Sequence, residues 1–336
     1  MRSLVVRLDS FGDVLLAGPA VRAVAARSSH VTLLCGPRGA DAARMLPGVD
    51  EVLVWEAPWE GFDPPPVSTA DVDALVTRLR AGAYDTALIL TSFHQSPLPT
   101  ALLLRLAGVG RIGADSVDHP GRLLDVRHRR RAGRHEAEAA LDTAAALGFP
   151  PPPGDDGRLR VLPPPDTSSL TGHGPYVVLH PGASAPARAW GPHRCAEAVA
   201  LLADAGHRVV VTGGLEETGL TRRVSGDTAV DLGGRTSPRV LAGVLRMADV
   251  VISANTGPAH LAAAVGTPVV SLFAPVVPAG RWAPYGVPVI LLGDQSAPCA
   301  DTRALTCPVP GHPCLDEVTG QDVVRAAHKL IQERQS

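Results

Sequence analysis

Three groups of residues in this 336-residue chain combine types and spacings that could do chemistry. The first is Asp13 in RLDSFGDVLL (residues 7–16), where an apolar run ends and Gly12 permits a tight strand-to-helix turn. Asp13 then falls in the first turn of the following helix. A carboxylate there either complements the helix macrodipole, worth a few tenths to about 1 kcal/mol, or serves as a general base; position and type leave both open. The second group is HPGASAPARAW (residues 180–190), in which a strand runs into Pro181, Gly182, Ala183 and Ser184 before Arg188 and Trp190. Small residues let backbone N–H groups approach an anion, and a permanently charged guanidinium neutralises it; a plain loop with a surface arginine is the other reading. The third is SANTGPAHL (residues 253–261). A buried strand ends in Asn255, Thr256 and Gly257, and a helix with Pro258 at its start follows at once, the arrangement that binds phosphate through unpaired helix N–H groups. Asn255 could equally be a helix cap, and His260 a packed core histidine. Two anion sites late in the chain and one carboxylate early in it together describe a phosphorylated donor attacked by a hydroxyl, with Asp13 taking the hydroxyl proton.

Such groups need strand ends to hold them, and the hydrophobic pattern supplies these. In the first half, β-rich runs at 3–8, 31–35, 51–55 and 86–90 are each followed by a helical stretch, at 14–26, 39–46, 71–81 and 99–106, and a longer helix over 134–147 closes the half. The proline-rich stretch 150–169 then breaks every regular pattern and reads as a stiff, solvated connector. After it, strands are predicted at 176–180, within 207–213, and at 229–232, 249–253, 268–273 and 288–292. Helices alternate with them at 192–205, 216–224, 238–247 and 257–265, and a final one spans 320–334. This predicts an α/β chain of two doubly wound domains facing a central cleft, with ligands bound beyond the carboxyl ends of the strands. Gly108, Gly110 and Gly113 spell G-x-G-x-x-G, but a helical run precedes them and a short strand follows. The dinucleotide fingerprint requires the reverse context.

Composition excludes several chemistries. Lysine and arginine number 31 against 33 acidic residues, for a net charge of −2, which speaks against a nucleic-acid binder. Lys329 is the only lysine, so neither a Walker A loop nor an active-site Schiff base is expected. Arg7, Asp9 and Asp13 interrupt the first apolar run, so it reads as neither a secretion signal nor a membrane span. Five cysteines in so long a chain make no disulfide framework. A cytoplasmic chain with no integral membrane segment is expected.

GDVLLAGPA, HPGAS followed by R-x-W, VVVTGG followed by Glu216 and Glu217, DLGGRTSPRVLAGVL, ANTGPAHLAAAVGTPVVSLF and RWAPYG, in that order and across nearly the whole chain, resemble the ADP-heptose-dependent heptosyltransferases of glycosyltransferase family 9. The resemblance implies the GT-B fold of two Rossmann-like domains: an acceptor-binding domain over 1–160, a nucleotide-sugar-binding domain over 161–318, and a terminal helix, 319–336, packing back on the first. It also implies an inverting, metal-independent transfer that uses no cofactor and no bound metal, the ADP-sugar being a substrate. Carried over by position, Asp13 matches the catalytic base, with Gly12 beside it among the donor-binding positions. Ser184 matches a phosphate contact after the Pro-Gly-Ala turn, with Pro181 and Gly182 among the donor-binding positions. Arg188 stands where the family usually has a lysine that neutralises the departing diphosphate. Glu217, with Glu216, matches a ribose-binding carboxylate, and Thr256, Gly257 and the helix they open match the diphosphate cradle, with His260 nearby; Asn255 matches a position that touches the donor sugar. Asn255 replaces a common aspartate.

Arg129, Arg130 and Arg131 read either as a solvated loop or as a docking surface for an anionic acceptor. Cys299, Cys307 and Cys314 lack any C-x-x-C spacing, and His312 would be needed as a fourth ligand for a metal there. The partners implied are a nucleotide-sugar donor and a glycan, glycolipid or small-molecule acceptor, with lipopolysaccharide inner core and a soluble secondary-metabolite intermediate as the two options. A glycolipid acceptor would place the protein peripherally at the inner membrane face. A nucleotide-sugar epimerase of the same fold and a non-catalytic sugar-nucleotide-binding protein are the competing readings.

Overall fold

The computed structural model describes residues 1–61 and 63–335. The valine- and leucine-rich runs of the first half form six strands: β1 Arg2–Arg7, β2 His30–Cys35, β3 Glu51–Val54, β4 Thr86–Ile89, β5 Arg111–Asp115 and β6 Val126–His128. They lie parallel in the order β3-β2-β1-β4-β5-β6, with Ser3 opposite Val31 on one side and Thr86 on the other. Leu4, Val5 and Val6 in β1 and Leu33 and Leu34 in β2 are all fully buried, the continuous apolar pattern of a parallel sheet covered on both faces. The chain steps outward from β1 to β3, then returns to place β4 on the other side of β1. The connections after β1 and β4 therefore leave in opposite directions, and a crevice opens between them at the carboxyl ends of the strands.

The second half repeats this plan with β7 Val177–His180, β8 Val209–Val211, β9 Val230–Asp231, β10 Val250–Ala254, β11 Val269–Leu272 and β12 Val289–Leu292. The order is β12-β11-β10-β7-β8-β9, again all parallel, so the reversal falls between β7 and β10. The chain divides into two compact units, Met1–Leu162 and Pro163–Ser336. The last helix, Gly320–Gln335, packs on the helix Pro192–Asp204 and along β10, β11 and β12, within the second unit. Among the described residues no helix is long and apolar enough to cross a membrane.

Two differences from the sequence reading lie beside the first crevice and at the edge of its sheet. The helix expected over 14–26 is split into Phe11–Leu16 and Gly18–Ala25; Pro19 has no N–H to continue the first helix, and the chain re-aims at Ala17. β6 was not expected, because its three half-buried residues sit inside the arginine-rich run at the sheet edge. The three fingerprint glycines are turn and strand residues, as their context predicts. Gly108 follows the helix Leu98–Leu106 with φ +84°, and Gly113 lies within β5.

Candidate active site

Asp13 sits at the crevice of the first sheet, in the first turn of the helix that β1 feeds. Both its oxygens are held. The Ser10 hydroxyl donates to Oδ2 at 2.7 Å, and Arg7 Nη2 donates to Oδ1 at 3.2 Å. Ser10 occupies the N-cap yet makes no capping hydrogen bond with its side chain; its hydroxyl serves Asp13 instead. The carboxylate keeps 18% of its side-chain surface exposed, whereas Arg7 keeps 4%. Gly12 is buried as the second residue of this helix and has no left-handed backbone, so the turn the sequence assigned to Gly12 is made by Asp9 and Ser10 before it.

Arg7 is the centre of a buried network that sequence reasoning missed. It ends β1, and its Nη2 reaches Asp9 Oδ2 at 2.7 Å and Ser92 Oγ at 2.9 Å as well as Asp13. Its Nη1 lies 4.0 Å from Glu136 Oε2. Burial works to lower the guanidinium's pKa, but Asp9, Asp13, Glu136 and Glu60 outweigh it and hold the group above its ordinary value. Ser92 and Gln95 come from the loop after β4, the other side of the crevice. The Gln95 carboxamide accepts from the Ser92 amide at 2.7 Å and donates to both Asp9 and Glu60. Glu60 arrives on the long connection after β3. Burial, then the Asp9 carboxylate, push it up to about 8. Glu136, at the start of the helix Glu136–Ala146, is buried and paired with Arg130; burial raises it against the pull of Arg7 and Arg130. One sequence signal could have found this network: an arginine closing the buried apolar run Leu4–Val6, two residues before an aspartate.

In the second unit the residues after β7, β8 and β10 converge at the corresponding crevice. His180 ends β7, fully buried, with Nδ1 3.0 Å from Thr212 Oγ1 and Nε2 3.8 Å from Glu217 Oε2. Burial lowers its pKa against the opposing pull of Glu217, which keeps the imidazole neutral. Glu217 Oε2 also accepts from the Gly214 amide at 2.7 Å, while Glu216 is exposed. The geometry thus separates two carboxylates that the sequence could not. Pro181 and Gly182 are buried and Ser184 is exposed, and the short turn Pro186–Arg188 delivers Arg188, half-buried. Thr256, not Asn255, caps the helix Gly257–Ala264, and its side chain makes no capping hydrogen bond. Asn255 is buried just before it, and His260 is buried inside the helix.

A β-carbon placed on Gly182 would lie 1.8 Å from Glu217 Oε1. That neighbour is the tip of a flexible side chain, so Gly182→Ala is expected to fold normally but to displace the Glu217 carboxylate. On the expectation from the resemblance that Glu217 meets the ribose of ADP, losing that charge-assisted hydrogen bond would cost about 1.5–3 kcal/mol, and ADP affinity is then expected to fall about 10- to 100-fold, by the same factor as in Glu217→Ala. Calorimetric titration of both variants with ADP checks this, and wild-type affinity in G182A would remove Glu217 from the site.

The arginine run divides. Arg130 is committed inward, to Glu136, to Asp115 at 3.3 Å and to the Thr91 carbonyl at 3.3 Å. Arg129 and Arg131 are exposed. The five cysteines are free thiols, and among the described residues no three His, Cys, Asp or Glu side chains are arranged to hold a metal ion.

The profile of glycosyltransferase family 9 (heptosyltransferase) matches residues 72–311. The whole chain superposes on Escherichia coli ADP-heptose lipopolysaccharide heptosyltransferase II, with a TM-score of 0.75, 19% identity and 100% of each chain covered. A glycosyl transferase family 9 protein from Veillonella parvula gives 0.77 at 18% identity, covering 99% of this chain and 97% of that one. Escherichia coli heptosyltransferase WaaC with ADP gives 0.70 at 20% identity, covering 99% of each. These likenesses show a shared two-sheet GT-B-like architecture. No curated protein matches the chain by sequence.

Proposed function

The chain belongs to glycosyltransferase family 9, and from that premise we propose that it transfers a heptose or a related sugar from an ADP-sugar to an acceptor hydroxyl, with inversion at the anomeric carbon and without a metal. The observation that carries this reading is Asp13, a carboxylate held by two donors yet open to solvent at the carboxyl end of the first sheet. In this mechanism Asp13 takes the proton of the acceptor hydroxyl as its oxygen bonds to the anomeric carbon and the bond from that carbon to the diphosphate oxygen breaks. ADP leaves with the bonding pair. The negative charge that grows on the diphosphate is met by the Arg188 guanidinium and by the N–H groups of the helix beginning at Gly257, the electrostatic contribution that is usually largest in such sites. Glu217 takes the ribose hydroxyls.

The acceptor is either lipopolysaccharide inner core or a soluble secondary-metabolite intermediate, and the exposed Arg129 and Arg131 favour one that carries anionic groups. Arg188 in place of the usual lysine keeps the charge and adds a planar fork able to bind a diphosphate through two N–H groups. Asn255 offers both a donor and an acceptor where aspartate would only accept, so the donor sugar is the less constrained half of the assignment.

The test is a titration of the purified protein with ADP, GDP, UDP and TDP, followed by donor consumption with and without acceptors of the two classes. Preferential ADP binding and acceptor-dependent ADP release are expected. Preferential UDP binding would overturn the ADP-sugar assignment, and acceptor-independent conversion of the donor sugar would point to an epimerase.

A further inference from the structure

We infer that His312 is a positioning residue for Arg188, acting through the backbone of Ala187; the inference rests on the reading that Arg188 meets the donor diphosphate. The backbone of the turn Pro186–Arg188 closes on itself through two short-range bonds. Its own bonds are Arg188 N–H to the Ala185 carbonyl at 2.9 Å and Ala189 N–H to the Pro186 carbonyl at 3.1 Å. The middle residue, Ala187, is buried, and both its backbone groups are satisfied by a segment more than a hundred residues later. Its N–H donates to the Leu305 carbonyl at 2.8 Å, and its carbonyl lies 3.1 Å from His312 Nε2. Facing a carbonyl, Nε2 must carry the proton, which fixes the tautomer of the neutral ring and makes this histidine a dedicated donor.

The same segment is fastened on its other side to the connection after β11. Asp301 N–H donates to the Pro275 carbonyl at 2.9 Å and Arg303 N–H to the Val276 carbonyl at 2.8 Å. It therefore spans two loops at the carboxyl end of the second sheet. Three of its non-glycine residues are left-handed: Asp301 at φ +61°, Arg303 at +58° and His312 at +49°. Backbone of that kind persists only where the surroundings over-determine it. At His312 it does two things at once. The carbonyl of His312 accepts from Leu315 and Asp316 and so starts the helix Pro313–Asp316, while the ring is aimed at Ala187. Ala187, Trp190, Cys299 and Cys314 belong to one buried apolar core of the second unit, with the partly buried Cys307 packed against it.

Without the ring, the Ala187 carbonyl would have to move toward water, and Arg188, the next residue, would move with it. Displacement of a charged group by about 1 Å can cost up to 10²-fold in rate. The test compares His312→Ala, His312→Gly and His312→Gln, each alone and the glycine variant also with Arg188→Ala. Glycine suits the left-handed backbone, so H312G removes the ring without adding strain, and glutamine keeps an N–H donor of similar reach. H312A and H312G are expected to lower kcat about 10-fold with acceptor KM unchanged and H312G still unfolding in one cooperative transition, and H312Q to recover part of the rate. The H312G/R188A pair is expected to be no slower than R188A alone, because both act on one group. Wild-type kcat in H312G beside a slow R188A overturns the inference while leaving the donor reading intact, as does an additive loss in the pair. A wild-type rate in R188A itself overturns the donor reading, and the inference with it.

Discussion

Asp13→Asn is expected to lower turnover by about 10²-fold or more while the melting temperature and ADP affinity stay at their wild-type values. The geometry suits the substitution. One amide oxygen continues to accept from Arg7 Nη2, and the amide NH₂ turns toward Ser10 Oγ, whose hydroxyl rotates from donating to accepting. The side chain therefore keeps its place and loses only the ability to take a proton. Asp13 is also the most exposed of the three carboxylates that face Arg7 in ion pairs, so removing its charge leaves that guanidinium still paired with Asp9 and facing Glu136. A stopped assay at saturating donor and acceptor, with thermal unfolding and ADP titration on the same preparation, separates the two effects. Near-normal kcat in a folded variant would mean that the acceptor proton goes elsewhere and that Asp13 is a helix-terminal carboxylate only.

The positions of the strands were readable from the sequence because buried parallel strands are short, apolar and separated by helical stretches, and this holds for β1 and β4 and for β7 and β10, which flank the two crevices. From these, Asp13, Arg188 and the Thr256–Gly257 helix start follow almost by counting, since each stands just past a strand end. What the sequence could not show depends on which loops meet. Glu60 and Gln95 lie on irregular connections after β3 and β4, and they reach Asp9 only because β4 returns beside β1. Glu136 reads locally as an acidic residue at a helix start, and Arg130 as one of a run of surface arginines, until the fold presses the two together. His312 stood out only as a spare metal ligand; its actual partner is a backbone carbonyl, which leaves no trace in residue types. The helix break at Ala17 was missed although Pro19 marks it locally, and β6 was masked by the charges around it.

The largest loss of stability is expected from Arg7→Met, which keeps much of the side-chain volume but removes the charge. Breaking a buried ion pair by deleting one partner typically costs about 3–5 kcal/mol, because the other partner is left uncompensated. Here Arg7 faces Asp9, Asp13 and Glu136 at once. The cost should depend on pH, with a definite sign. Glu60 is pushed up to about 8 from 4.5, by burial first and by Asp9 next, against the lowering influence of Arg7; Glu136 is raised by burial against Arg7 and Arg130. A carboxyl whose folded pKa exceeds its unfolded one holds its proton more tightly when folded. The stability it contributes is present below the unfolded value and lost as pH rises through the folded one. For Glu60 that window runs from about 4.5 to about 8. Removing Arg7 raises both groups further, so both take up protons more readily in the variant, and its deficit should be smaller near about pH 5.5 than near about pH 8. Denaturant unfolding of both proteins at the two pH values measures this directly. Adding Glu136→Gln to R7M should recover part of the loss at the higher pH, since it removes one of the buried carboxylates that have lost Arg7 and leaves Arg130 to its other partner, Asp115. A deficit under about 1 kcal/mol, or one equal at both pH values, would mean that Arg7 is not what balances these buried charges, and that Asp13 owes its orientation to Ser10 alone.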